Sequence, residues 1–486
     1  MLISVIRFIH LSISISLVAG ENDYKSYLAA HGGRSNASTS MHMTTYKFEV
    51  LAPHAEKALD MFLQFFVAPL FTESGTGREV NAVDSENSKN LTADGRRRLQ
   101  IFKALCDPDH YYTKFSTGNA KTLPTEERLT YVRDALLAFH RSHYRPDNLT
   151  VCVAGPQSLD ELQEWIMPVA EMPVPDFPTD QKNMEEAERM VHIASADAPS
   201  VLKNDLDKKV PDHNQAMRPG AWYGSDTTKN DSELKSHPAS SWPYRYTIKP
   251  LRAMRKLNLM FPMPPVSHMP DNSPSSVLSH LLGHEGAGSP FALLQDRSWI
   301  SSLSTGSRAS GPDFSIFQVD MALTEEGEKN WEGIVDVILQ HCRLLKQAAD
   351  EDPKELVRDW EETIALSKIF FDTASPSGVY DTVPGLSQSI VRYGTDQCIS
   401  AGRMLDESAD TFPLDLLRDF VARLTPENLV IERCSQDAWK EIEAKKDGEG
   451  IRWMKEPWYD LDFIVSSIDS DTVKHWRGDP KPLVDA

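Results

Sequence analysis

The sequence has few cysteines, no long apolar run and no excess of basic residues, and each absence excludes a class of protein. The five cysteines in 486 residues include no C-x-x-C pair, so they indicate reduced, mostly buried thiols rather than a disulfide framework. The apolar run from Leu11 to Ala19 is too short to cross a bilayer as a helix. A net charge of -20 argues against nucleic acid, which requires a basic surface. We therefore expect neither a nucleic-acid nor a membrane partner.

What the sequence does contain is a pattern that occurs twice. An alternating segment ends at Phe48-Glu49-Val50 in the first copy and at Phe317-Gln318-Val319 in the second. After a long interval with helical periodicity, each copy continues with proline, an acidic residue and asparagine ahead of a short apolar strand, at residues 146–151 and 426–431. The pattern predicts two tandem homologous domains of the α+β class.

Periodicity and capping residues predict the main elements within these copies. The expected elements are a helix over 55–68, a strand over 149–155, a helix opened by the capping box Ser158–Glu161, and helices over 325–345 and 353–371. The run Arg96-Arg97-Arg98 is interpreted as a solvated helix face.

Two glutamates stand out because of their spacing. Glu79 and Glu86 are seven residues apart, which places them within about 20° of each other on one helix face. Val83 lies between them, so the face is partly apolar, and a carboxylate held there is costly unless it meets a metal, a cation or a hydrogen-bond donor. The alternative is an ordinary solvated acidic stripe.

The whole string from Arg78 to Asn90 resembles the zinc-ligand helix of the insulin-degrading enzyme and pitrilysin family, the insulinase family, whose other signature is H-x-x-E-H. The resemblance implies duplicated domains, each a mostly antiparallel sheet packed with helices, as in mitochondrial processing peptidases. It also implies zinc-dependent cleavage of peptides or small unfolded polypeptides, with Glu86 as a zinc ligand and Glu79 as its companion. No H-x-x-E-H occurs in the 486 residues. Because a catalytic zinc needs three protein ligands, we expect that this chain alone does not bind it.

A second matching block is His31-Gly-Gly-Arg-Ser-Asn-Ala-Ser-Thr39. In the family this strand borders the cleft and pairs with the substrate backbone, which implies substrate-binding roles for Asn36, Ala37 and Ser38. The family often has an aromatic residue where Ser38 stands, so we expect the adjoining pocket to be altered. The alternative is an ordinary glycine-rich turn followed by an edge strand.

A third block, His280-Leu-Leu-Gly-His-Glu285, resembles the family's second, non-catalytic domain. There, with a following strand, it holds the N-terminus of bound peptides. The implied anchoring residues are His280, Gly283, Glu285, Thr305 and Gly306. A purely structural role is the main alternative. An improvised metal site through His280 and His284 is a further one, but Gly283 stands where a catalytic glutamate would be required.

These observations predict a linear organisation. The expected parts are a non-family N-terminus over 1–20, a truncated catalytic-type domain over 21–196, a disordered insertion over 197–243, a non-catalytic domain over 244–440 and a linker over 441–486. Residues 1–20 could also be a weak signal peptide, because they combine Arg7, a serine-interrupted apolar run and small residues at 18–20. We expect a cytoplasmic protein, with mitochondrial location and secretion as alternatives.

Two functions remain open at this point. The first is an insulinase-family metalloendopeptidase homologue that is inactive because its zinc-binding motif is missing. The second is a non-enzymatic peptide-binding or regulatory subunit that pairs with a separate C-terminal half-chain. Bound zinc with chelator-sensitive peptide cleavage contradicts the first, and indifference to peptides argues against the second.

Overall fold

The computed structural model describes residues 23–40, 43–67, 69, 71–106, 112, 115–120, 136–137, 139–140, 143–171, 244–264, 274–311, 314–375, 377–401, 414–445, 448 and 450–478. The predicted N-terminal segment 1–20 and the predicted insertion 197–243 lie outside these residues. None of the described helices is long and apolar enough to span a membrane.

Helices and strands alternate irregularly along the described chain. In order they are α1 (Asp23–Ala30), β1 (Arg34–Thr39), β2 (Thr44–Glu49), α2 (Ala55–Val67), α3 (Glu73–Leu91), α4 (Asp94–Ala104), α5 (Leu159–Ala170), β3 (Tyr244–Ile248), β4 (Arg255–Met263), α6 (Pro274–Gly283), α7 (Pro290–Asp296), β5 (Ile300–Ser310), β6 (Ser315–Leu323), α8 (Glu325–Lys329), α9 (Trp331–Glu351), α10 (Lys354–Thr373), α11 (Val379–Tyr393), α12 (Leu414–Ala422), β7 (Val430–Ser435), α13 (Gln436–Glu443), β8 (Ile451–Glu456), β9 (Leu461–Ser467) and α14 (Ser470–Trp476).

The chain forms two compact units that are not simply consecutive. Unit 1 takes its described residues from 1–91, 114–204 and 375–399, and unit 2 takes the remainder. The helix α4 therefore belongs to the second unit and α11 to the first. The two compact units therefore differ from consecutive domains with boundaries at 196 and 244, because each unit includes a segment from the other half of the chain.

Unit 1 is built on an aromatic core beneath a short sheet. β1 and β2 form an antiparallel pair with Arg34 opposite Glu49. The predicted helix over 55–68 is confirmed as α2, and Phe65 and Phe66 on its inner face are buried. Tyr24 of α1 meets Phe65 edge-on with ring centroids 5.1 Å apart. This geometry favours aromatic pairs beyond their burial, so the core fixes α1 against α2.

The predicted strand over 149–155 differs from expectation. A 3-10 turn over Pro146–Asn148 leads into an extended Leu149, but residues 149–155 join no sheet ladder among the described residues. An extended segment becomes a strand only when a neighbour pairs with its backbone, and local sequence cannot show whether that neighbour is present.

Unit 2 contains a seven-stranded sheet in the described chain, with the order β5-β6-β4-β7-β3-β9-β8. All neighbouring strands are antiparallel except β3 and β7. Alternate residues of β4 from Leu257 to Met263 are buried in one large apolar cluster, together with Ile334 and Ile338 of α9. The α+β class and its mostly antiparallel sheet with packed helices are thus confirmed.

Two expectations about unit 2 were wrong. The helix expected over 325–345 is two helices, because Asn330 leaves the helical region and donates from its side chain to the Glu326 carbonyl. The stretch predicted as a linker from 441 forms α13, β8, β9 and α14 up to residue 476, and β9 pairs with β3. Its short alternating pattern was masked by its many charged residues.

The arginine run of α4 is not a solvated face either. Arg98 forms ion pairs with Glu432 and with Asp320, the latter at 2.9 Å. Lys256 adds a 2.7 Å contact to Asp320, and Tyr246 donates a 2.6 Å hydrogen bond to Glu432. Desolvation opposes the charge on Arg98, but the two carboxylates raise its pKa above the ordinary value. This paired cluster fixes α4 to the sheet of unit 2.

Candidate functional site

The candidate site in unit 1 is the inner face of α3. Val80 and Val83 on this face join the aromatic core, and Glu79 is buried beside them with only 3% of its surface exposed. Glu79 Oε2 accepts no hydrogen bond from any described residue. A buried carboxylate oxygen without a donor is costly, so this position disfavours the charged form of Glu79.

The protonation of Glu79 reflects this position. Burial raises its pKa to about 7, while the positive charges of Lys25 and Arg78 act in the opposite direction. The group is therefore partly protonated at neutral pH, unlike an exposed glutamate. Carboxyls with such shifts are concentrated at functional sites.

The described residues around α3 do not form a complete set of zinc ligands. Glu86 lies one heptad beyond Glu79 and is partly exposed. Within the described ranges, no three histidine, cysteine or acidic side chains are placed so that they could hold a metal. A zinc site requires three protein ligands, usually with histidine among them. The described donors beside Glu86 and Glu79 are therefore fewer than a zinc site requires.

The far end of α3 is held by the block Phe115-Ser-Thr-Gly-Asn119. Asp84 Oδ1 accepts a 2.8 Å hydrogen bond from the Ala120 amide, and the Asn90 side chain donates to Thr117 Oγ1 at 3.4 Å. Gly118 has a φ of 82°, a conformation that glycine adopts at little cost. This block positions the helix and has no evident chemistry of its own.

The predicted peptide-pairing residues lie on β1, which in the described chain pairs only with β2. Asn36 and Ser38 point to solvent, and Ala37 is partly buried. The Ala37 amide donates to its neighbour Asn36 Oδ1 at 2.9 Å, so a side chain rather than the sheet satisfies it. An edge strand of this kind can accept an extended peptide as a further strand.

An aromatic residue near β1 was missed by sequence analysis. The ring of Tyr380 on α11 contacts two cations. Its centroid lies 4.2 Å from Arg34 Cζ and 3.9 Å from Lys47 Nζ. Asp381 forms a 3.0 Å ion pair with Lys47. These residues are more than 330 positions apart in sequence, so no local signal could have linked them.

The second group of predicted residues is brought together in unit 2. Thr305 of the edge strand β5 donates a 2.8 Å hydrogen bond to the Ser279 carbonyl of α6. A Cβ on Gly283 would lie 2.8 Å from Thr305 Oγ1, and Gly306 has a φ of 149°. Gly283 therefore allows α6 and β5 to approach closely, and Gly306 provides a backbone angle that other residues rarely adopt.

His280 of α6 is exposed, and so are His284 and Glu285, which follow the end of the helix. The rings of His280 and His284 are 6.3 Å apart between centroids, and His284 Nδ1 accepts from the Gly286 amide at 3.2 Å. As on α3, no third metal-ligating side chain joins them among the described residues.

A duplicated α+β chain with an edge strand in each unit and a glutamate-bearing helix in the first defines the scaffold of an M16-type peptidase. The profile described as "Insulinase (Peptidase family M16)" matches residues 9–109, and that described as "Peptidase M16 inactive domain" matches 130–171 and 208–358. The chain belongs to the insulinase family of peptidases.

Similar proteins include several named enzymes. Human insulin-degrading enzyme is 30% identical over 467 residues, and the yeast A-factor-processing enzyme is 30% identical over 460 residues. Each comparison covers 94% of this chain but only 38% of the relative. The crystal structure of pitrilysin matches with a TM-score of 0.71 at 19% identity, covering 99% of this chain and 45% of that chain.

Proposed function

We propose that this chain binds extended peptides on an insulinase scaffold and does not itself hydrolyse them. The observation that carries the proposal is the donor set around α3. The residues that the structure describes supply carboxylates at Glu79 and Glu86, but no third metal-ligating side chain joins them. Zinc, which would supply the activated water in a family peptidase, therefore lacks a fitting set of ligands within the described part of the chain.

Peptide binding is supported by the edge of β1. The Ala37 amide and the neighbouring backbone groups form a row along which an extended peptide can pair. Main-chain pairing is tolerant of sequence, which suits a site for short or partly unfolded peptides. A carbonyl of the bound peptide could replace Asn36 Oδ1 as the acceptor, and the Ala37 amide would still donate a hydrogen bond.

The edge of β5 supports a second contact with the same ligand class. The close approach of α6 to β5 leaves His280 and Glu285 exposed beside a strand. These groups carry the polarity needed to hold the charged N-terminus of a peptide. We infer that they anchor peptides and do not perform chemistry.

Binding and hydrolysis can be separated with one labelled peptide. A quenched fluorogenic peptide should bind saturably, and no chelator-sensitive rise in fluorescence should follow. Ala37→Pro should weaken binding, because proline removes the amide that faces the free edge. Asn36→Ala, which frees that amide, serves as the matched control and should bind at least as well as the unchanged chain. Chelator-sensitive cleavage contradicts inactivity, and equal binding by both variants contradicts the assignment of β1.

A separate half-chain as partner is the second candidate. Backbone edges that bind peptides, with no metal site among the residues that the structure describes, fit a binding or regulatory subunit. Mixing the purified chain with a C-terminal half of an insulinase relative should then give a complex of defined stoichiometry in sedimentation analysis. Two unchanged species would contradict this assignment and leave the peptide-binding proposal intact.

The state of the thiols supports a reducing compartment. The cysteines Cys106, Cys342 and Cys434 are buried. Burial raises the pKa of Cys342 to about 12, so this thiol is unreactive at neutral pH. We infer that the protein functions where thiols stay reduced, with the cytoplasm as the preferred location.

A further inference from the structure

Unit 1 contains a cluster of basic and aromatic side chains at the start of β1 that the proposed function does not use. The imidazole rings of His31 and His54 are stacked, with centroids 3.7 Å apart and planes inclined by 23°. The centroid of the Tyr27 ring lies 4.5 Å from that of His31, and Lys57 Nζ lies 5.1 Å from the centroid of Tyr27. The three rings are partly exposed and Lys57 is exposed, so small solutes can reach this basic cluster.

The backbone brings the two histidines side by side. The Leu51 amide donates to the His31 carbonyl at 3.4 Å, and the Leu51 carbonyl accepts from the His54 amide at 2.9 Å. Gly33 permits the close approach of the two segments, since a Cβ there would lie 2.3 Å from the Glu49 carbonyl oxygen. The stack therefore follows from how the chain enters β1 and leaves β2.

The groups that face His31 from each neighbouring element are basic or neutral. They are Tyr27 from α1, His54 from the turn after β2, and Lys57 from α2. Desolvation lowers the pKa of His31, and the positive charges of His54 and Lys57 lower it further. No described carboxylate acts on it in the opposite direction. A proton on His31 therefore enters a positive field.

The basic cluster also lacks acidic partners in the described part of the chain. The ring nitrogens of the two histidines form no hydrogen bond with a described residue, and Lys57 forms no ion pair with Glu56 or Asp60 of its own helix. The net charge of the whole chain is -20, so a group of cations without a counter-charge is not a general property of its surface. The basic cluster therefore offers N–H donors and positive charge to a ligand.

We propose that the basic cluster binds a tetrahedral oxyanion, of the sulfate and phosphate type, when its histidines are protonated. Two stacked imidazolium groups repel each other, and an anion placed against both removes that repulsion. Protonated imidazole donates from both ring nitrogens, and the Lys57 ammonium adds further donors. Charge-assisted hydrogen bonds of this kind are about twice as strong as neutral ones. The start of α2 at Ala55 adds the partial positive charge of a helix N-terminus.

A metal ion fits this pair less well than an anion. A metal shared by two histidines lies about 2.0–2.1 Å from a nitrogen of each, close to the plane of each ring. Two planes whose centroids are 3.7 Å apart and which are inclined by only 23° do not meet within that distance. No third metal-ligating side chain joins the pair among the described residues. An anion needs only N–H donors and is not restricted in this way.

The proposal predicts that binding is tighter in acid. Sulfate keeps two negative charges at both pH 6 and pH 8, so a change in its affinity between these values reports on the protein. Histidine has an ordinary pKa of about 6.5, and the site gains its charge only below that region. The affinity for sulfate should therefore fall by about tenfold from pH 6 to pH 8.

The test is a titration of the full chain, isotopically labelled at its histidines, with sodium sulfate at constant ionic strength. The ring signals of His31 and His54, assigned from His31→Gln and His54→Gln, should shift saturably in NMR spectra. His31→Gln and Lys57→Met should each weaken sulfate binding by roughly fivefold or more. The matched control is His475→Gln in unit 2, where the histidine is paired with Asp336 at 3.4 Å, and it should leave the affinity unchanged.

Three results would overturn the proposal. Equal shifts in sulfate and in sodium chloride of the same ionic strength would show that only screening is measured. An affinity that does not change between pH 6 and pH 8 would remove the histidines from the site. Unchanged affinity in Lys57→Met, an exposed position where folding is expected to be preserved, would remove the ammonium. The proposal does not depend on peptide binding at β1, and inorganic phosphate should displace sulfate whether or not peptides bind.

Discussion

The two units begin from the same local signal and end in different sheets. In unit 2 the proline-acid-asparagine turn leads into β7, which is paired on both sides by β4 and β3. In unit 1 the same turn leads into residues 149–155, which join no sheet ladder among the described residues. The turn residues set the backbone angles of the residue that follows, Leu149 or Leu429. Whether that segment becomes a strand depends on a neighbouring segment that can pair with its backbone.

The units also differ in how they treat buried charge. Unit 2 buries Glu432 within a network of arginine, lysine and tyrosine partners. Unit 1 buries Glu79 with one carboxylate oxygen that accepts no hydrogen bond from the described residues. A paired buried charge mainly fixes structure, and a poorly paired one shifts its pKa. Glu432 therefore helps to hold the fold of unit 2, whereas Glu79, with its raised pKa, marks the candidate site of unit 1.

The largest effect should come from breaking the network of unit 2. Arg98→Ala leaves the fully buried Glu432 without its main cation, so the free energy of unfolding should fall by about 3–5 kcal/mol. Arg96→Ala, on the exposed face of the same helix, should change it by less than about 0.5 kcal/mol. Urea unfolding of the full chain measures both. Similar midpoints for the two variants would show that the network does not hold α4.

The close approach of α6 and β5 predicts the next effect. Gly283→Ala would place a Cβ 2.8 Å from Thr305 Oγ1, and the resulting overlap should cost about 1–3 kcal/mol of stability. Gly95→Ala is the matched control, because Gly95 lies in the first turn of α4 and a Cβ there meets nothing within 4 Å. It should stabilise by roughly 0.5 kcal/mol. Destabilisation by both would indicate a general intolerance of alanine and remove the support for close packing.

Glu79 gives a prediction with a defined pH dependence. Its folded pKa of about 7 lies above the ordinary value of 4.5, so the folded state holds more protons between these values. The stabilisation associated with Glu79 is therefore full below pH 4.5 and lost as the pH rises through 7.

Glu79→Gln should remove this dependence and stabilise the chain by about 1–2 kcal/mol at pH 8, with little effect at pH 5. The measurement is urea unfolding at both pH values. Glu86→Gln, at a partly exposed position, is the control. A Glu79→Gln chain that is less stable at pH 8 would mean that the carboxylate has a favourable partner.

The smallest expected effect concerns Tyr380. Tyr380→Leu should cost about 0.5–1 kcal/mol of stability because it removes the ring beneath Arg34 and Lys47. Tyr380→Phe keeps the ring and should match the unchanged chain. Thermal unfolding of the two variants at low and high salt measures this difference. A loss of stability in Tyr380→Phe would contradict the prediction, because it would show that the hydroxyl and not the ring is stabilising.

Sequence analysis predicted those features of the fold that depend on local chemistry. The helix over 55–68, the two matched turns and the Ser158 cap, whose hydroxyl accepts from the Glu161 amide at 3.3 Å, follow from short patterns. The positions of Arg98 and Tyr380 depend on partners hundreds of residues away, which no single-sequence pattern links. The strands β8 and β9 were missed because alternating charges obscured a half-buried strand. On α3, spacing predicted the shared face of the two glutamates but not the burial of Glu79.

Metal content tests the central claim most directly. The purified chain, dialysed against buffer containing equimolar zinc and then against zinc-free buffer, should retain far less than one zinc per chain by elemental mass spectrometry. Glu86→Ala should leave that content unchanged. One zinc per chain that is lost on Glu86→Ala would contradict the account, because it would require a complete set of ligands around α3.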